Sequence, residues 1–142
     1  MVKLYAMCGI PGSGKTTLSN ELACQYKVIA YSCDDLRKHR PLKCGPFKPY
    51  IFGLVRQSLL DGQSVVVDDL YITEDSRYEL LSAISDIPCK KILIVLQTPL
   101  EVCIDRDRTR TSHNLGQRAI SHFYNKYQLP SMDEGWDEIL YF

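Results

Sequence analysis

Four segments of the chain are nearly continuous apolar runs: Val2–Cys8, Val28–Tyr31, Ser64–Asp68 and Lys91–Leu96. Each has strand length and lacks the polar alternation of a half-exposed strand. The pattern therefore predicts strands buried on both faces. Between them the apolar positions recur at helical spacing. Lys15 to about Gln25 puts Leu18, Leu22 and Ala23 on one face, and Tyr50–Leu60 runs into the stop Asp61-Gly62. Thr73–Ser85 collects Leu80, Leu81 and Ile84 behind a capping Thr73. Pro99 suits a first helical position and opens a helix to about Arg108. A further helix is predicted over Leu115–Lys126, followed by an irregular acidic tail. Pro41, Gly45, Pro46 and Pro49 make Lys38–Pro49 a predicted loop.

Strands alternating with helices predict an α/β fold, about four parallel strands with helices on both faces. Ligands of such sheets lie beyond the carboxyl ends of the strands. The informative corners are then residues 9–17, Asp34 to Arg37, Asp68-Asp69 and Gln97-Thr98.

The 142 residues fit one domain, and Lys plus Arg equals Asp plus Glu at 17 each, so no global basic field draws nucleic acid in from a distance. A few local cations gripping one strand end remain compatible with that balance. Apolar stretches of about seven residues are far short of a membrane span, and the first residues lack signal-peptide anatomy. Cys8, Cys24, Cys33, Cys44, Cys89 and Cys103 form no CxxC pair. Free thiols in a cytoplasmic protein are the expectation. His39, His113 and His122 form no cluster. Trp136, Tyr141 and Phe142 are expected to pack the tail against the body.

The chemistry starts at Gly9-Ile10-Pro11-Gly12-Ser13-Gly14-Lys15-Thr16, which follows the first strand and opens the first helix. Glycines let the backbone turn tightly so that successive N–H groups face phosphate oxygens. Lys15 reaches the β- and γ-phosphates, and the Thr16 hydroxyl takes a place on Mg²⁺. Asp34 and Arg37, three apart past the second strand, share a face if a helix starts there. One reading makes Asp34 a general base for an attacking hydroxyl and Arg37 the holder of an anionic acceptor. The plainer reading is a capping aspartate with a local ion pair, and Asp35 competes for the base role. Asp68, ending the third strand ahead of Asp69, suits a carboxylate near the metal. Arg106 and Arg110 lie on one helical face and could neutralise charge on a transferred phosphoryl group. Asp105 and Asp107 interleave with them, so solvated surface pairs are the alternative. Lys38, His39, Arg40, Lys43 and Lys48 could contact acceptor phosphates or be solvated.

Taken together, Gly9–Thr17, Asp34-Asp35-Leu36-Arg37, Asp68 and Arg106-Asp107-Arg108-Thr109-Arg110 resemble the kinase domain of polynucleotide kinases, of the AAA-type ATP-binding P-loop family. The tail Pro130–Ile139 is similar to the Glu-Gly-Phe-Asp ending of many members. The resemblance implies a three-layer P-loop NTPase fold, ATP and Mg²⁺, and transfer of the γ-phosphate to the 5′-hydroxyl of DNA or RNA. It implies Asp34 as base, Arg37 on the acceptor side, and Thr16 with Asp68 at the metal. Arg106 and Arg110 become lid cations over about 106–116. Gly9, Pro11, Gly12, Ser13, Gly14, Lys15, Thr16 and Thr17 become the phosphate-facing set. Where that family usually continues with Thr-Asn, this chain has Asp69-Leu70. Its Val67-Asp68-Asp69-Leu70-Tyr71 and Arg77-Tyr78-Glu79-Leu80 resemble the related seryl-tRNA kinases. A kinase of seryl-tRNA or a small metabolite, and a non-kinase nucleotide-binding regulator, stand as alternatives.

Overall fold

The computed structural model describes residues 1–110 and 114–142; Thr111, Ser112 and His113, inside the expected lid, lie outside them. Five parallel strands form one sheet: β1 (Lys3–Cys8), β2 (Ile29–Ser32), β3 (Val65–Asp68), β4 (Lys90–Val95) and β5 (Glu138–Tyr141), in the order β2-β3-β1-β4-β5. The α/β parallel reading holds, with one strand more than the four expected. β5 lies in the tail expected to be irregular, although Ile139-Leu140-Tyr141-Phe142 is an apolar run as long as Val28–Tyr31 and signalled a strand. It pairs with β4 at the sheet edge, with Ile92 opposite Glu138 and Val95 opposite Tyr141.

Side chains alternate along β1. Leu4, Ala6 and Cys8 point into one core with Ile51, Val55 and Leu59 of α3 (Phe47–Leu60) and Leu80 and Leu81 of α4 (Glu74–Ala83). Tyr5 and Met7 point into another, against Leu18 and Leu22 of α1 (Lys15–Tyr26). Helices on both faces explain why the central strands carry no polar face. A third cluster at the carboxyl ends joins Ile10 to Cys103 and Ile104 of α5 (Leu100–Thr109) and Ile120 of α6 (Gln117–Lys126).

The 38–49 segment is more ordered than its prolines suggest. α2 (Cys33–His39) precedes a single 3-10 turn at Leu42–Cys44, and α3 already begins at Phe47. The α2 cap is Ser32, whose Oγ accepts from Asp35 N, and Asp34 lies inside the first turn. Pro99 stands just outside α5, at its cap. In the tail Trp136 is buried as expected, whereas Tyr141 and Phe142 are exposed. Among the described residues all six cysteines are free, and no helix is long and apolar enough to cross a membrane.

Candidate phosphoryl-transfer site

From β1 the chain leaves toward β2, and from β3 toward β4, so the connections diverge at the carboxyl ends of two adjacent strands. Such a divergence leaves a crevice. Residues 9–14 fill its floor, tied across it by Gly9 N donating to Leu70 O at 3.0 Å. Gly12 (φ +85°) and Gly14 (φ +101°) adopt left-handed conformations that admit glycine readily. A Cβ on Gly12 would also stand 2.8 Å from the Cys103 carbonyl oxygen, so α5 can approach only a bare backbone.

Above that floor lies a cleft of about 1090 Å³. It is lined by Pro11 to Thr17, Asp34, Arg37, Asp68, Arg106 and Arg110, bringing together nearly every residue singled out from the sequence. Gly9 sits beneath, holding the turn. Asp35 does not line the cleft, and Arg108 turns away to Asp105 (3.4 Å) and Gln117 (3.2 Å), an ordinary surface pair. Lys48 pairs with Glu79 at 2.7 Å, and Arg40 donates to Gly45 O, so part of the basic segment serves its own folding.

Lys15 is buried, with Nζ donating to Ile10 O at 3.0 Å. Burial pushes its pKa down, opposed by the Asp68 and Asp69 charges. Thr16 Oγ1 donates to Asp68 Oδ2 at 2.8 Å. Burial raises the Asp68 pKa, and the Thr16 bond and Lys15 charge pull it back. A hydroxyl beside one carboxylate fits Mg²⁺, which keeps several waters and takes substrate phosphates as further ligands. Among the described residues no group of three or more His, Cys, Asp or Glu gathers to hold an ion by itself. Ser13 Oγ is buried with no hydrogen-bond partner, packed against Gly9. Thr98 Oγ1 fixes the loop by donating to Ser13 O at 2.7 Å.

The α5 side of the cleft holds one residue singled out from the sequence and one that escaped it. Arg106 Nη1 donates to Gly12 O at 3.1 Å, placing the guanidinium over the loop. Asp107 is buried and accepts from Leu115 N (2.8 Å) and Gly116 N (2.9 Å), which hold its pKa down. It ties Leu115 and Gly116, just ahead of α6, back to α5; alternating charges in sequence gave no sign that one of them turns inward.

On the opposite wall Arg37 donates to Asp34 Oδ1 at 3.2 Å and to Asp69 Oδ2 at 3.1 Å. Its guanidinium lies 4.6 Å from the Phe47 ring centroid. The Asp34 side chain is 87% exposed, so it reaches solvent in the cleft and not a buried cap position. Asp69 and Phe47 were not foreseen as Arg37's supports. Behind this wall Arg77 is fully buried, donating to Tyr71 O, to Gln128 O and through two nitrogens to Glu134. A signal existed: Arg77 precedes Leu80, Leu81 and Ile84 by three, four and seven residues, on the core face of α4.

Known proteins share this fold. A family model described as chromatin associated protein KTI12 matches residues 2–141. The transcription factor bHLH140 of Arabidopsis thaliana is 28% identical over 95% of this chain, and an L-seryl-tRNA(Sec) kinase of Methanococcus maripaludis is 23% identical over 94%. The chain spans only 15% and 56% of the lengths of these relatives. Among solved structures, a putative kinase from Chloroflexus aurantiacus superposes with a TM-score of 0.78 at 18% identity, covering 99% of this chain and 84% of that one. A fungal RNA kinase gives a TM-score of 0.73 at 22% identity, covering 99% and 38%. A sugar kinase from Janibacter gives 0.74 at 18%, covering 99% and 86%. The shared fold is that of P-loop kinases, and with its model matched from residue 2 to residue 141 the chain belongs to the KTI12 family.

Proposed function

We propose that the chain is one P-loop kinase domain that transfers the γ-phosphate of ATP to a hydroxyl carried by a nucleic acid, first of all a polynucleotide 5′-hydroxyl. The observation that carries the proposal is the exposed Asp34 carboxylate facing the P-loop across one cleft, with Arg37 beside it and Arg106 on the loop. The loop N–H groups and Lys15 hold the β- and γ-phosphates of ATP. Thr16 and Asp68 would hold Mg²⁺, which supplies charge neutralisation across the phosphate oxygens. Asp34 accepts the proton of the acceptor hydroxyl as its oxygen bonds to the γ-phosphorus. The bond from that phosphorus to the bridging oxygen breaks, and ADP leaves with the electron pair. Arg106 and Arg110 counter the charge on the moving group. Arg37, held by Asp69, turns from Asp34 toward the acceptor's own anionic backbone.

A hydroxyl on an aminoacylated tRNA is the second reading. Its support is the Asp68-Asp69-Leu70-Tyr71 corner, with Asp69 on Arg37 and Tyr71 O on Arg77, in a chain 23% identical to a seryl-tRNA(Sec) kinase.

The test incubates the protein with γ-labelled ATP, Mg²⁺ and either a 5′-hydroxyl RNA or DNA oligonucleotide or seryl-tRNA. Label on the oligonucleotide, lost by about 10²–10⁴-fold in Asp34→Asn with ATP binding retained, is the expected result. ATP hydrolysis with label on none of the acceptors defeats the nucleic-acid kinase reading.

A further inference from the structure

Behind the Arg37–Asp69 pair the structure holds a second cavity of about 250 Å³. It shares Arg37, Asp69, Leu70 and Phe123 with the phosphate cleft and extends away from the P-loop toward α3 and α4. The mechanism leaves it unused. We propose that it receives the nucleobase of the acceptor's terminal nucleotide, an inference that rests on the nucleic-acid reading of the site.

Four aromatic residues, Phe47, Phe52, Tyr71 and Phe123, line the cavity, and the Arg37 guanidinium lies against the Phe47 ring at its mouth. Aromatic rings and arginine planes are the surfaces on which unstacked bases settle. The volume admits one ring-sized group, below the usual range for a whole small-molecule ligand. A sugar would leave most of its hydroxyls against apolar walls, at a cost for each one unpaired. At the rim Lys48 and Glu79 stand 2.7 Å apart, placing a donor beside an acceptor as the edge of a base requires.

The backbone is bent to build this wall. Tyr71 takes φ +44°, a left-handed conformation that is unusual for a bulky residue. Arg77 clamps the Tyr71 carbonyl at 3.0 Å, which holds the conformation in place. Position fits the occupant as well. Arg37 lines both the cavity and the phosphate cleft that also holds Asp34, so a base held here keeps its own sugar next to that cleft.

The experiment measures binding of two 5′-hydroxyl RNA oligonucleotides in the presence of Mg²⁺ and a non-hydrolysable ATP analogue. They are identical except that one is abasic at its 5′-terminal nucleotide. The intact oligonucleotide should bind roughly ten- to hundred-fold tighter, the worth of one stacked base. Phe123→Ala should bring the two affinities together. Equal affinities in the native protein, or no binding of either, overturn the pocket assignment whether or not label is transferred. A preserved preference without phosphoryl transfer keeps the pocket and defeats the kinase reading instead.

Discussion

In the proposed reaction the cleft has a donor wall and an acceptor wall, and the two are built in different ways. The donor wall is made of backbone: a glycine loop pressed against α5, one buried lysine, and a threonine–aspartate pair at the ends of adjacent elements. The acceptor wall is made of side chains: Arg37 suspended between Asp34 and Asp69, a phenylalanine beneath it, and a buried arginine holding the corner behind. A phosphate chain is the same in every nucleotide and suits a fixed cradle. An acceptor differs from one kinase to another, and side chains are what a fold can exchange without rebuilding its strands.

If the donor wall is as described, its largest single loss comes from Lys15. Lys15→Ala removes the buried cation aimed at the β- and γ-phosphates, and turnover should fall about 10³-fold with any acceptor. An effect on one acceptor and not another would move Lys15 to the acceptor wall and break the comparison.

The acceptor wall should fail by unfolding before it fails chemically. Arg77→Met leaves Glu134 unpaired in a site where the carboxylate also accepts from Trp136 Nε1 at 3.0 Å. Thermal or denaturant unfolding should show a loss of about 3–5 kcal/mol. Adding Glu134→Leu should recover part of it, because the stranded charge is then gone. No recovery would mean that the Tyr71 and Gln128 carbonyls, and not the ion pair, carry the cost.

The same division decides what could be read in the sequence. The loop was legible because tight turns at Gly12 and Gly14 require glycine, and a strand before and a helix after complete the pattern. Asp34, Arg37 and Asp68 were legible at strand ends, Arg106 and Arg110 as two arginines on one helical face, and all five line the cleft. Their partners were not. Asp69, Phe47 and Asp107 act through tertiary contacts whose sequence separation carries no local signature. The buried Asp107 looks in sequence like its exposed neighbour Asp105. β5 was passed over although Ile139 to Phe142 are apolar, because the run is short and follows the acidic residues Asp133, Glu134, Asp137 and Glu138.

Acidity acts on the donor wall. Burial raises the Asp68 pKa and lowers that of Lys15, so the two titrate nearer to neutrality than isolated side chains at about 3.9 and 10.4. A carboxyl with a raised folded pKa costs the fold stability while ionised. That cost disappears as pH falls through the raised value toward the unfolded one. Metal-dependent nucleotide binding needs the carboxylate and moves the other way. Activity should therefore drop about ten-fold per pH unit below the Asp68 value, while the protein does not lose stability from this group. Asp68→Asn should have low activity with no such acid limb. An unchanged limb in that variant would assign the titration to another group.

The smallest expected effect concerns the outer end of the donor wall. Phe142 was expected to pack the tail, yet its side chain lines the phosphate cleft and the residue is 60% exposed. Its backbone is fixed on both sides, with N donating to Val95 O and O accepting from Gln97 N, each at 2.8 Å. An anchored aromatic residue beside the proposed triphosphate site would offer a stacking surface to the base of the nucleotide. Stacking of one base is worth about 1–3 kcal/mol, so Phe142→Ala should weaken ATP binding roughly five-fold or more. Inorganic triphosphate, which has no base, should bind both forms equally. If triphosphate weakens in parallel with ATP, Phe142 supports the loop and the donor wall ends at the phosphates. If only ATP weakens, that wall too ends in a side chain, at the one place where nucleotides differ from each other.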